Sequence, residues 1–153
     1  MDMPKPGPGH KLLESFAGNW KGEETMHPSP WDPKGGVATA TTSGRAICDG
    51  FYAASDYEQK RGGAVTFRGH SVIGFDQNTQ DYVMHWFDSM GMGAEVFRGK
   101  QKGQTLTLAN QGPMGHHRLT YDFSEKGTQR TKMEMSQDGK QWKVMFEGTY
   151  HKQ

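Results

Sequence analysis

The side chains in this sequence best suited to chemistry are its histidines and the carboxylates near them. His27, His116 and His117 flank turn-rich stretches, whereas His70 and His85 lie inside segments of alternating polarity. The turn at 76–80 folds FRGH (67–70) back on HWFD (85–88). An antiparallel hairpin through it sets His70 opposite about Trp86, with Asp88 a short step further along. The turn at 61–64 likewise brings Asp56 beside His70. Asp56, His70, His85 or Trp86, and Asp88 then stand at similar height on neighbouring strands. An imidazole beside a carboxylate can act as a general acid/base pair or supply part of a metal site. The same residues serve equally well as hydrogen-bonding groups on either side of a sheet. Their shared face is open, because a single bulge inverts the alternation. His70, His85 and Asp88 are the catalytic candidates on this reading. No His-x-x-x-His or Cys-x-x-Cys spacing occurs, so no metal site is predicted.

Ten methionines form the second candidate set. Met90, Met92 and Met114 fall on loops, and Met84, Met133, Met135 and Met145 on strands. Thioethers suit adaptable apolar pockets, and equally fill irregular gaps in a core. Trp31 sits in HPSPWDPKGG (27–36), a loop stiffened by Pro28, Pro30 and Pro33. It reads either as a lid or as a structural cover. No Gly-x-Ser-x-Gly elbow or phosphate-cradling glycine loop is present, and Cys48 has no basic residue nearer in sequence than Arg45.

The elements that must position these groups are strands and tight turns. His10 to Phe16 is the one helical turn, with Leu12, Leu13 and Phe16 on one side and Gly18 as a stop. Strands are predicted near 19–26, 37–48, 51–60, 65–75, 81–88, 94–100, 105–110, 116–124, 129–136 and 142–150. The separators are turn chemistry, such as Asp49-Gly50, Arg61-Gly62-Gly63, Lys102-Gly103 and Asp138-Gly139. Hairpin-length connections throughout predict an all-β, up-and-down antiparallel barrel of about ten strands, closed so that neither edge is left bare. Alternate turns lie at opposite ends. Those near 49–50, 76–80, 101–104 and 125–128 share the end that the helix covers. The loops 27–36, 61–64, 89–93, 111–115 and 136–140 form the open end, where function is expected.

Composition narrows the classes further. A length of 153 residues suits one domain, read as a flexible arm at 1–9 and a barrel at 10–153. A formal charge of +1, with basic and acidic residues interspersed, offers no footprint for nucleic acid. The N-terminal residues lack an apolar signal segment, no apolar run approaches a membrane span, and a lone Cys48 cannot form an internal disulfide. A cytoplasmic protein is the expectation.

Gly18-Asn19-Trp20 after a short helix resembles the opening of lipocalins and other calycin barrels. The blocks HPSPWDP (27–33), DYEQ (56–59), FRGH (67–70), HWFDSMG (85–91), QGPMGH (111–116), EMSQDG (134–139) and FEGTY (146–150) resemble the bacterial family called domain of unknown function fifteen-seventy-nine. That resemblance spans about residues 13–150. It implies a lipocalin-like barrel and carries no established activity. A more distant resemblance is to nitrobindins, ten-stranded barrels that hold haem through a histidine on the last strand. Matching VMFEGTYHK (144–152) to that strand places Met145 where the histidine would stand, with His151 too late. No cofactor is therefore predicted.

The leading expectation is a barrel that takes a small, partly apolar ligand at its open end. His27, Trp31, Asp56, Glu58, Trp86, Met90, Met92, Met114 and His116 are the candidate ligand-binding residues. The alternatives are an enzyme using an Asp/His pair for hydrolysis or proton transfer, and a homodimeric module using the Trp31/Met90/Met92 surface.

Overall fold

A computed structural model describes residues 2–153. Ten strands follow one another as β1 (Gly18–Met26), β2 (Gly36–Ile47), β3 (Tyr52–Arg61), β4 (Ala64–Asp76), β5 (Asp81–Asp88), β6 (Glu95–Lys102), β7 (Thr105–Gly112), β8 (Gly115–Asp122), β9 (Thr128–Ser136) and β10 (Lys143–Lys152). Each pairs antiparallel with its neighbours in sequence, and β1 closes on β10 from Trp20↔Lys152 to Met26↔Phe146. The expected ten-stranded up-and-down barrel is therefore the observed one. Among the described residues no helix is long and apolar enough to cross a membrane. The arm expected at 1–9 has its first residue outside the described ones. Its end is already helical, since a 3-10 helix runs over Pro8–Phe16.

That helix plugs one end of the barrel. Leu12, Leu13 and Phe16 are buried with Ile73, Met84, Leu106 and Leu108 in the main core. Phe16 meets Tyr121 and Phe123 edge-on at ring-centroid distances of 5.1 and 5.0 Å. The Tyr82 hydroxyl donates to the Gly9 carbonyl at 2.6 Å, which pins the start of the helix. His10 is buried between the rings of Phe51 and Phe75, and its Nδ1 accepts from the Gly7 N–H. Gly44 lets the end of the helix cross β2 at contact distance: a Cβ there would lie 1.9 Å from the Phe16 carbonyl oxygen.

The register of β4 against β5 differs by one residue from the sequence expectation. Asp76 pairs with Asp81, so His70 faces Phe87 and Ser71 faces Trp86. The cause is the turn between them. Asp76 Oδ1 accepts from the N–H groups of Asn78 and Thr79, and Gln80 takes a positive φ of 60° to close it. Phe67, Gly69, Ser71, Ile73 and Phe75 of β4 consequently share the interior with Tyr82, Met84, Trp86 and Asp88 of β5. The partners expected from β3 are as predicted, with Asp56 opposite His70.

Candidate functional site

Above the plugged end the barrel encloses a cavity of about 360 Å³. Phe16, Met84, Phe97, Leu119, Tyr121 and Met133 form its apolar floor. Its mouth is marked by Met26, Phe67, Asp88, Glu95 and Phe146, all near strand ends opposite the helix. Strand alternation explains this composition. Interior positions of β1 read Trp20, Gly22, Glu24, Met26, and those of β3 read Ala53, Ser55, Tyr57, Gln59.

Glu24 is the unusual member, a carboxylate with no solvent exposure. The Tyr57 hydroxyl reaches both of its oxygens at 2.7 Å, Gln59 Nε2 donates to Oε1 at 2.9 Å, and the Tyr150 hydroxyl donates to Oε2. Gln59 is itself oriented by Thr66, whose hydroxyl donates to the amide oxygen at 3.1 Å. A buried carboxylate is tolerable only when its lone pairs are satisfied in this way. Burial pushes the Tyr57 and Tyr150 hydroxyls far above the usual tyrosine range, and the nearby Glu24 carboxylate raises both further. Burial alone does the same to Tyr121. All three phenols are thus held protonated.

Three rings gather toward the mouth. Tyr57, Phe67 and Trp86 have centroids 6.2 Å (Tyr57–Phe67), 6.2 Å (Tyr57–Trp86) and 6.5 Å (Phe67–Trp86) apart, and the last pair is within 17° of parallel. Gly69 makes room for Trp86, because a Cβ there would lie 2.1 Å from the indole. Trp86 Nε1 donates to Asp88 Oδ2 at 2.8 Å, while Asp88 Oδ1 accepts from the Met90 N–H.

Of the residues singled out from the sequence, Trp86, Asp88 and the strand methionines Met84 and Met133 line the cavity. His70 and Asp56 do meet, with Nδ1 2.8 Å from Oδ1, but on the outer surface, where Arg45 also reaches Asp56. The hydrogen bond from His70 holds the Asp56 carboxyl below its ordinary range. Glu58 is outside as well, near Arg68 and Lys60. His85 is exposed on the exterior of β5. The catalytic grouping of His70 or His85 with Asp88 is therefore not assembled: alternation sends the imidazoles outward and the carboxylate inward.

The loop candidates stand away from the cavity. Trp31, Met90, Met92 and Met114 are exposed. The 27–36 loop is tied down by Arg61, which pairs with Asp32 at 2.7 Å and donates to the Gly35 carbonyl. No residue from it lines the cavity. His27 lies near Glu147, and His116 stands edge-on to Trp142. Glu24, Tyr57, Gln59 and Tyr150 were missed. The one sequence signal for Glu24 is its period-two spacing from Trp20, which a Glu-Glu pair in a polar strand disguises.

Among the described residues no three His, Cys, Asp or Glu side chains converge to hold a metal ion. The cavity does not fit a haem held through an imidazole or thiolate. No histidine or cysteine lines it. Met145 sits at a bulge in β10, where the register shifts between Val144 and Phe146, and is not among the lining residues.

No curated protein sequence matches the chain. Among solved structures, it is similar to Rv2717c from M. tuberculosis at 11% identity and a TM-score of 0.72, covering 96% of this chain and 98% of that one. It is also similar to the S-type phycobiliprotein lyase CPES from Guillardia theta at 9% identity and a TM-score of 0.64, covering 94% and 92%. At such identities the likeness is one of fold. A family model described as "Protein of unknown function (DUF1579)" matches residues 5–152, and the chain belongs to that family.

Proposed function

We propose that this protein is a small-molecule-binding barrel. Its ligand enters at the end opposite the N-terminal helix and lies between the Tyr57/Phe67/Trp86 rings and the apolar floor. The observation that carries this reading is the enclosed cavity itself, apolar over most of its wall and furnished with one buried, fully hydrogen-bonded carboxylate at Glu24. Pockets for small ligands have this make-up: a largely apolar lining of about 300–1,000 Å³ with a few fixed polar groups. The similarly folded CPES is a phycobiliprotein lyase, and that likeness of fold is compatible with the reading.

Thermal shift with a panel of small aromatic compounds tests the reading. A ligand at a hundredfold excess over its Kd stabilises the folded state by about 2.7 kcal/mol. That raises the midpoint of a domain this size by about 5–10 °C. Ser71→Leu places a larger apolar side chain in the cavity wall and should abolish the shift. Gln77→Ala, in the turn at the plugged end, should leave it intact. A panel with no hits, or a shift that survives Ser71→Leu, refutes the proposal.

A further inference from the structure

We propose that the ligand is an organic cation, an alkylated or quaternary ammonium group on a small apolar body; this rests on the ligand-binding reading above. The first support is a charge imbalance. Glu24, Asp88 and Glu95 line the cavity, and no Lys, Arg or His does. Among the described residues none of these three carboxylates has a cationic partner. Outside the cavity Asp32, Asp56, Asp76, Asp81, Glu125 and Glu134 each do, and Glu14, Glu23, Asp49 and Asp138, which have none, are exposed to water rather than gathered in an enclosure. The chain as a whole carries only +1, so the excess of negative charge is local to the cavity. Neutral donors satisfy Glu24, so its hydrogen bonds are met with no cationic side chain against it. An anionic ligand would be repelled there.

The second support is independent of charge. Tyr57, Phe67 and Trp86 present three aromatic rings with centroids 6.2–6.5 Å apart at the cavity mouth. Aromatic faces attract cations through the ring quadrupole, and clusters of such rings are the usual means of binding quaternary ammonium. Two of the three rings donate hydrogen bonds to carboxylates, Tyr57 to Glu24 and Trp86 to Asp88. A donor bonded to an anion is polarised, and that shifts electron density into its ring.

The same features select against other cations. A hard metal ion needs a shell of oxygen ligands, which this lining does not supply. A primary ammonium needs three acceptors; the oxygens of Glu24 and Asp88 are already engaged, by Tyr57, Gln59 and Tyr150 and by Trp86 and Met90, which leaves Glu95 at the exposed mouth. A bulky, weakly hydrated cation needs no hydrogen-bond acceptor at all.

Calorimetric titration of the full chain with benzyltrimethylammonium, benzyl alcohol and benzenesulfonate tests this. The cation should bind about tenfold more tightly than the alcohol, and the sulfonate most weakly. Asp88→Asn and Phe67→Leu should each lower the cation's affinity about threefold or more beyond whatever they cost benzyl alcohol, so that the cation-to-alcohol preference falls. Equal affinity for all three probes, or a preference for the sulfonate, overturns the cation assignment and leaves ligand binding standing. Failure of all three to bind overturns both.

Discussion

Alkaline pH should unfold this barrel steeply, for reasons the interior makes explicit. The hydroxyls of Tyr57, Tyr121 and Tyr150 are each raised far above their ordinary value of 10.0, by burial first and, for Tyr57 and Tyr150, by the Glu24 carboxylate next. In the unfolded chain the same tyrosines release their protons near pH ~10. Above that pH the folded state therefore binds more protons than the unfolded one, and stability falls as pH rises. Each tyrosine contributes a slope of about 1.4 kcal/mol per pH unit, so the three together give about 4 kcal/mol per pH unit. Burial of Tyr82 acts in the same direction. A domain with about 5–15 kcal/mol of stability is exhausted within about 1–4 pH units above pH ~10. The assay is paired: tyrosinate absorbance and far-ultraviolet circular dichroism followed through one base titration. Most of the tyrosinate signal should appear in the same cooperative step that removes the strand signal. Tyr150→Phe should reduce the slope of stability against pH by about a third. Smooth tyrosine titration near pH ~10 with the strand signal intact would refute the account of the interior.

Two substitutions separate the cavity from the rest of the wall. Gly69→Ala puts a methyl group where the Trp86 ring lies and should tilt the indole, costing about 1–3 kcal/mol and weakening probe binding, with the change visible by near-ultraviolet circular dichroism; unchanged binding would show that Trp86 is not held as described. Arg118→Ala removes a two-pronged hydrogen bond to Glu134, at 3.0 and 2.9 Å, and a guanidinium 4.1 Å from the centre of the Trp142 ring. It should destabilise by about 1–3 kcal/mol in chemical denaturation without altering ligand affinity, because that cluster lies on the outer surface.

The turns were legible in the sequence because turn chemistry is local. Asp49-Gly50 and Lys102-Gly103 require backbone conformations that few other residues tolerate, and Asp49, Gly50 and Gly103 all take positive φ. Turn spacing in turn set hairpin connections, and hairpins set the meander. The same locality explains Leu12, Leu13 and Phe16 as a plug, since three apolar residues on one side of a short helix have one sheltered place to go. The loop methionines and Trp31 show the limit of that reasoning. Their residue types suggested a pocket, yet no local rule says whether a loop folds over the mouth or away from it.

Two features of the site were decided only by long-range geometry. Trp86 and Asp88 lie on the opposite face from His70 because one extra position in the pairing across the 76–81 turn moves every side chain of β5 relative to β4. Glu24 is buried because β1 closes against β10, bringing in Tyr150 from 126 residues away while β3 supplies Tyr57 and Gln59. Sequence periodicity determined that Glu24 shares a face with Trp20 and Met26. Only closure of the barrel made that face the inside of a cavity, because a strand's inner and outer faces are distinguished by what the rest of the sheet encloses.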